Sequence, residues 1–157
     1  MKILAMIPAR LGSKRIPKKN LRYLDGKPLL CYPIELALGT EDYSEVLVNS
    51  ESKILGKLAE LSGVGFHQRP DDLGSDTATN QDFTKEFLIE HDCDFVVMIN
   101  STSPLISLGT LKAFNELVKT NQFDTILSVI DEQAETFYKN EPLNFNYSEK
   151  TNSQQLP

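Results

Sequence analysis

Met1-Lys2-Ile3-Leu4-Ala5-Met6-Ile7-Pro8-Ala9-Arg10-Leu11-Gly12-Ser13-Lys14-Arg15-Ile16-Pro17-Lys18-Lys19-Asn20 runs from a short apolar stretch straight into a basic loop. The stretch from Ile3 to Pro8 reads as a strand, being apolar, partly β-branched and closed by proline. The loop from Pro8 to Asn20 holds one glycine, two prolines and five cations. Gly12 lets the backbone pass close to an anion and expose amide donors, and Ser13 adds a hydroxyl. Arg10, Lys14 and Lys19 supply charge-assisted bonds of the kind phosphate oxygens accept. Pro8 and Pro17 stiffen the two edges. Ligands of a doubly wound sheet bind outside the carboxyl ends of its strands, and the loop lies at such an end. The segment therefore predicts a strand followed by a loop shaped for the phosphates of a nucleotide. The alternative is a solvated basic loop, against which the glycine turn at a strand end weighs. The spacing is neither G-x-x-x-x-G-K-[ST] nor G-x-G-x-x-G, so ATPase and dinucleotide readings lose their best support.

Outward from this segment, apolar runs alternate with helical periods. Further strands are expected at Glu45 to Asn49, Val64 to His67, Phe95 to Ile99 and Thr125 to Val129. Helices are expected at about Leu29 to Leu38, Ser52 to Leu61, Thr79 to His91 and Leu108 to Lys119. The βαβα alternation predicts an α/β fold, a doubly wound, mostly parallel sheet with helices on both faces. Ser52 and Thr79 are placed as helix caps and Gly63 as a stop. Phe83, Phe87, Leu88 and His91 recur at helical spacing and read as a core face. Residues 131–157 are polar and without helical period, and are expected to form an irregular arm or hairpin serving as a dimer contact. No linker divides the chain, so one domain is expected over 1–157. It ends at Gln154-Gln155-Leu156-Pro157 with no closing helix and reads as cut short.

Charge is unevenly spread. Seven of the 16 basic residues lie in the first 22 positions, while the remaining nine share the rest of the chain with all 22 acids. A local basic patch on an acidic protein of net charge −6 points to capture of one compact anion, such as a triphosphate, and away from nucleic acid. No apolar run reaches the length of a membrane span and no secretory signal is present, so a cytoplasmic protein is expected. Cys31 and Cys93 lie in no C-x-x-C or histidine-rich context and read as buried free thiols. His67 and His91, 24 positions apart at a strand end and a helix end, read as separately satisfied rather than as ligands of one metal.

Ile7-Pro8-Ala9-Arg10-Leu11-Gly12-Ser13-Lys14-Arg15-Ile16-Pro17-Lys18-Lys19-Asn20-Leu21 resembles the nucleotide loop of the acylneuraminate cytidylyltransferases, or CMP-sialic acid synthetases. Three further segments resemble that family in order and spacing: Asp25-Gly26-Lys27-Pro28-Leu29; Arg69-Pro70 with Leu73 and Ser75-Asp76-Thr77-Ala78; and Thr102-Ser103-Pro104-Leu105. The resemblance implies a Rossmann-like nucleotidyltransferase fold. It further implies that Arg10, Ser13, Lys14 and Lys19 hold the triphosphate of CTP, with Leu11 and Gly12 in the same loop and Asn20 near the phosphates or ribose. Arg69 and the backbone at Ala78 would recognise cytosine, with Asn80 close by. That assignment has a chemical basis, because cytosine presents an amino donor beside ring-nitrogen and carbonyl acceptors. Asn100, Ser101 and Thr102 would lie at the sugar.

The implied activity is transfer of CMP from CTP to a nonulosonic, sialic-acid-like sugar acid with release of pyrophosphate, a reaction of surface polysaccharide biosynthesis. Arg10, Lys14 and Lys19 would carry the charge, Mg2+ would be the cofactor, and the protein would be a homodimer. Asp71, Asp72 and Asp76 stand either as surface acids or as attractors of magnesium. The sugar half departs from the family: Asn100-Ser101 stands for Q-P before T-S-P-L, Ile106 for arginine, and Asn49-Ser50-Glu51 for S-T-D. The family's metal-holding aspartate pair lies beyond the last residue of this sequence. Another acceptor, KDO or a sugar phosphate, and a shortened relative that binds CTP without turnover remain the alternatives.

Overall fold

In the computed structural model, which describes residues 1–130 and 134–146, the apolar run that opens the chain is the centre of the sheet. The chain runs through β1 (Ile3–Pro8), β2 (Tyr23–Leu24), β3 (Lys27–Pro28), α1 (Cys31–Leu38), β4 (Glu45–Ser50) and α2 (Lys53–Leu61). It continues through β5 (Gly65–Gln68), α3 (Asn80–Glu90), β6 (Phe95–Met98) and α4 (Leu108–Lys119). β1 pairs in parallel with β4 on one side and β6 on the other, and β4 pairs in parallel with β5. The resulting order is β5-β4-β1-β6. Ile3 to Ile7 are all buried because both strand edges are paired and both faces covered.

The period of two along β1 sorts side chains to two faces. Leu4, Met6 and Leu47 point to one face and pack with Phe83 and Phe87 of α3, against which Val96 and Met98 also rest. On the opposite face α2 lies so close to the sheet that a Cβ on Gly56 would fall 2.5 Å from the ring of Phe66, the register partner of Val48. The sheet is therefore covered on both sides, as a doubly wound fold requires. The chain steps outward from β1 to β4 and β5, then returns to place β6 on the other flank of β1. This reversal opens a crevice at the carboxyl ends of β1 and β6, where the basic loop leaves β1.

Local chemistry sets the element ends. Thr79 caps α3 in a reciprocal box with Asp82, whose carboxylate accepts from the Thr79 N–H at 2.8 Å. Gly63 adopts φ 75° and closes α2 as a Schellman motif, its N–H donating to the Glu60 carbonyl while that of Val64 reaches Ala59. Asp25 and Gly26, both at positive φ, form the tight turn between β2 and β3. Ser52 stands at the N-cap of α2, yet its side chain caps nothing. Its own N–H donates instead to Ser50 Oγ. Leu88, expected on the core face of α3, is exposed, because the buried stripe there is one residue wide at Phe83 and Phe87. Cys31 and Cys93 are free but only half-buried, and burial pushes both thiols up.

The chain divides after Asp124 into two compact units. In the second, the strand expected over Thr125 to Val129 does not form: 125–130 has no ladder partner, and Leu127, Val129 and Ile130 are exposed. β-propensity reflects packing against neighbouring strands, so an apolar run without such a neighbour has nothing to make it a strand. The expected arm or hairpin over 131–157 lies partly outside the described residues. Within them, β7 (Phe137–Tyr138) and β8 (Glu141–Pro142) pair antiparallel around Lys139 and Asn140, both at positive φ. Asn144 ties the hairpin's base, its Oδ1 accepting from the Thr136 N–H and its Nδ2 donating to the Ala134 carbonyl, both at 2.9 Å. Among the described residues no helix is long and apolar enough to cross a membrane.

Candidate nucleotide-binding site

The loop after β1 does not become an α-helix; it bends across the crevice and closes in a 3-10 turn at Lys19–Leu21, and its cations converge there. Arg10, Ser13, Lys14 and Lys19 line a cleft of about 700 Å³ together with Asn20. Arg69 and Asn80 enter from the loop after β5 and the start of α3, and Asn100, Ser101 and Thr102 from the turn after β6. Ten of the residues singled out in the sequence thus face one space. Leu11, Gly12 and Ala78 are not among its lining residues, while Asp76, read as a surface acid or a magnesium attractor, is, as are Arg15 and Phe83, which sequence reasoning did not place at the site.

Side-chain chemistry divides these residues into those with polar atoms turned to the protein and those still open to a ligand. Asn20 is buried; its Nδ2 donates to the Arg10 carbonyl at 3.0 Å and its Oδ1 accepts from Ser101 Oγ at 2.7 Å. Asn20 and Ser101 therefore hold the loop against the end of β6. Glu51 performs a similar task from the end of β4. Its Oε1 accepts the Leu11 N–H at 2.8 Å and its Oε2 accepts from Arg69 Nη2 at 3.3 Å. One carboxylate thereby fixes both the basic loop and the arginine behind it. Gly74 has to lack a side chain for this, since a Cβ there would lie 2.7 Å from Glu51. The signal was legible only as a departure, Glu51 standing where the family has aspartate.

Arg69 is the most constrained cation. It is buried to 3% exposure, stacks its guanidinium over Phe83 at 4.8 Å, and donates from Nη2 to the Ala9 carbonyl at 3.1 Å. Its Nε and Nη1 have no partner among the described residues. Burial presses its pKa down, opposed by Glu51. An arginine titrates far above neutrality, so it stays charged, and a buried charged group with two idle donors calls for an acceptor. The front of the cleft has the opposite problem. Asp76 lies between two cations, 2.7 Å from Arg10 Nη1 and 2.5 Å from Lys14 Nζ, and those bonds, Lys14 foremost, hold its carboxyl below the usual range. Its two oxygens occupy the cations as an anionic ligand would.

Mg2+ at a nucleotide is held by one or two carboxylates together with phosphate oxygens and waters. Among the described residues Asp76 is the carboxylate that lines the cleft, engaged by Arg10 and Lys14, and Asp71 and Asp72 are exposed on the 3-10 turn beside it. The histidine expectation changes. His67 and His91, read as separate, lie 3.0 Å apart on the far side of α3 from its capped end.

Residues 4–155 match the family model described as Cytidylyltransferase. The chain belongs to the cytidylyltransferase family. As a member of that family it is 42% identical over 104 residues to the N-acylneuraminate cytidylyltransferase of Escherichia coli O18:K1:H7, covering 66% of this chain and 25% of that protein. It is 32% identical over 131 residues to the N-acylneuraminate cytidylyltransferase of Streptococcus agalactiae serotype V, covering 82% and 32%. With the pseudaminic acid cytidylyltransferase of Campylobacter jejuni it shares 33% identity over 150 residues, covering 90% and 65%. The chain thus spans about a quarter to two thirds of the length of these cytidylyltransferases. Among solved structures, a CMP:2-keto-3-deoxy-manno-octonic acid synthetase complexed with CTP superposes with a TM-score of 0.69 at 22% identity, over 77% of this chain and 48% of that one. That likeness speaks for the fold.

Proposed function

We propose that this chain carries the nucleotide-binding part of an enzyme that transfers CMP from CTP to a nonulosonic sugar acid and releases pyrophosphate. The observation that carries the reading is Arg69, a buried guanidinium with idle Nε and Nη1 donors at a cleft whose mouth is lined by Arg10, Lys14 and Lys19. Cytosine offers ring-nitrogen and carbonyl acceptors on one edge, which suits an arginine N–H donor; uracil carries a hydrogen on that ring nitrogen and suits it less. The triphosphate then lies toward the cations, displacing Asp76 from Arg10 and Lys14. A sugar hydroxyl attacks the α-phosphorus in line; the new P–O bond forms as the bond to the pyrophosphate oxygen breaks. Arg10, Lys14 and Lys19 offset the negative charge that builds on the phosphate oxygens, so the protein acts by positioning and electrostatics rather than as a nucleophile.

Asn100 and Thr102 lie in the same cleft, with Asn100 exposed, and are the side chains free to meet the acceptor. The shorter amide at Asn100 supports an acceptor other than the commonest sialic acid. Pyrophosphate release from CTP, UTP and GTP, each offered with sialic, legionaminic, pseudaminic and octulosonic acids, tests the reading. The expected result is release with CTP and one nonulosonic acid. Equal affinity for the three nucleotides would remove the cytidylyl assignment, and tight CTP binding without release from any acid would favour a non-catalytic relative.

A further inference from the structure

The chain has two histidines, and the fold brings both to one place. His67, on β5, is buried; His91, the C-cap of α3, is half-buried and stacks on Phe87 at 4.3 Å. Their ring nitrogens, His67 Nδ1 and His91 Nε2, are 3.0 Å apart, and Glu90 Oε2 is 3.5 Å from the same His67 Nδ1. All three donor atoms lie within 4.8 Å of one another. On the other side of the ring, His67 Nε2 is 2.8 Å from Glu86 Oε2.

We propose that His67, His91 and Glu90 form a binding site for a divalent transition-metal ion of the zinc class, distinct from the nucleotide cleft. A tetrahedral site with metal–nitrogen bonds of about 2.0–2.1 Å has ligand–ligand edges of about 3.3 Å; the two spacings from His67 Nδ1, 3.0 and 3.5 Å, bracket that value, and the third, between His91 and exposed Glu90, lies within 4.8 Å. Glu86 supplies the outer partner that metal-bound histidines use: a carboxylate on Nε2 keeps the proton there and leaves the Nδ1 lone pair facing the ion. Two imidazoles and one carboxylate suit zinc, cobalt or nickel and not magnesium or calcium, which take oxygen. Without an ion, the proton between the rings belongs to His91 Nε2 and points at His67 Nδ1. Metal binding needs His91 in its other neutral tautomer, with the proton on Nδ1, so no further group has to be consumed.

The surroundings favour a cation. The site lies at the carboxyl end of α3, the negative end of its dipole. Glu86, Glu90 and Glu45 face it, against the ammonium of Lys2. Exposed Glu90 leaves an open side for water as a fourth ligand. A bound ion would tie the end of α3 to β5, two residues before Arg69.

The test is titration of the purified, chelator-treated protein with Co2+ in the absence of nucleotide, followed by visible absorption and then by displacement with Zn2+. One equivalent with the intense bands of four-coordinate cobalt is expected, undisturbed by excess Mg2+. Glu86→Gln is expected to weaken binding roughly 10- to 100-fold, and His91→Ala by more than that; Cys31→Ser and Cys93→Ser leave it unchanged. Far-UV circular dichroism confirms that each variant is folded. Absence of stoichiometric binding, or binding that survives His91→Ala or depends on either cysteine, overturns the proposal and leaves the histidine pair as a packed hydrogen bond.

Discussion

Lys14 and Arg69 are cations in one cleft, and their surroundings give them different work. Lys14 is 83% exposed at its side chain and paired with Asp76, so it is free to exchange a carboxylate for a phosphate. Lys14→Ala is expected to lower kcat/KM for CTP roughly 10- to 100-fold, the worth of a charge-assisted contact, while leaving the preference for CTP over UTP intact. Arg69 is buried behind the loop with its Nε and Nη1 unpartnered among the described residues. Arg69→Met, similar in length but without donors, is expected to erase most of the CTP-over-UTP preference measured by pyrophosphate release. It should also loosen the loop, because the bond to the Ala9 carbonyl is lost. A variant whose preference is unchanged would show that the base is read elsewhere. The cations of the loop were legible in sequence because charge density around a glycine is a local signal. Glu51 was not, because its value lies in reaching Leu11 and Arg69, respectively 40 and 18 positions away.

At the scale of elements, the site depends on how β1, β4 and α3 are pinned to one another. Gly74→Ala places a Cβ against Glu51 and is expected to push that carboxylate off the Leu11 N–H. The readout is a raised KM for CTP, because the loop loses its tie to the end of β4. Thr79→Ala removes one side of the box that starts α3. A lost cap costs about 1 kcal/mol, and in a protein of this size that lowers the melting temperature by roughly 2–4 °C. Scanning calorimetry checks it. Thr79 was readable as a cap since its partner Asp82 lies three residues on. Ser52 had the same sequence character but no acidic or glutamine partner at its third position, which is Leu55, and its side chain caps nothing.

For the molecule as a whole, one contribution to stability at high pH comes from the place where α4 meets the turn after α1. Tyr43 donates its hydroxyl to buried Asn115 at 2.8 Å, Asn115 donates to Asp42 at 2.8 Å, and Lys119 donates to the other Asp42 oxygen at 2.7 Å. Burial pushes Tyr43 up to about 12, and the bonds to Asp42 and Glu116 raise Lys119 to about 12. Both groups bind their proton more tightly folded than unfolded, where they titrate near 10. Their contribution is complete below about pH 10 and is lost as pH rises toward 12. Urea unfolding followed from pH 9 to 12 is expected to show that decline, less steeply in Tyr43→Phe. Hydrophobic period, glycine turns and clustered charge act over a few residues, so the α/β alternation, the central strand and the basic loop at its end were set by the sequence alone. Tertiary structure alone decided that 125–130 stays unpaired, that Glu51 latches the loop to Arg69, and that His67 meets His91. Each of those depends on segments distant in the chain being brought within a few ångströms, which only the packed sheet and its helices specify.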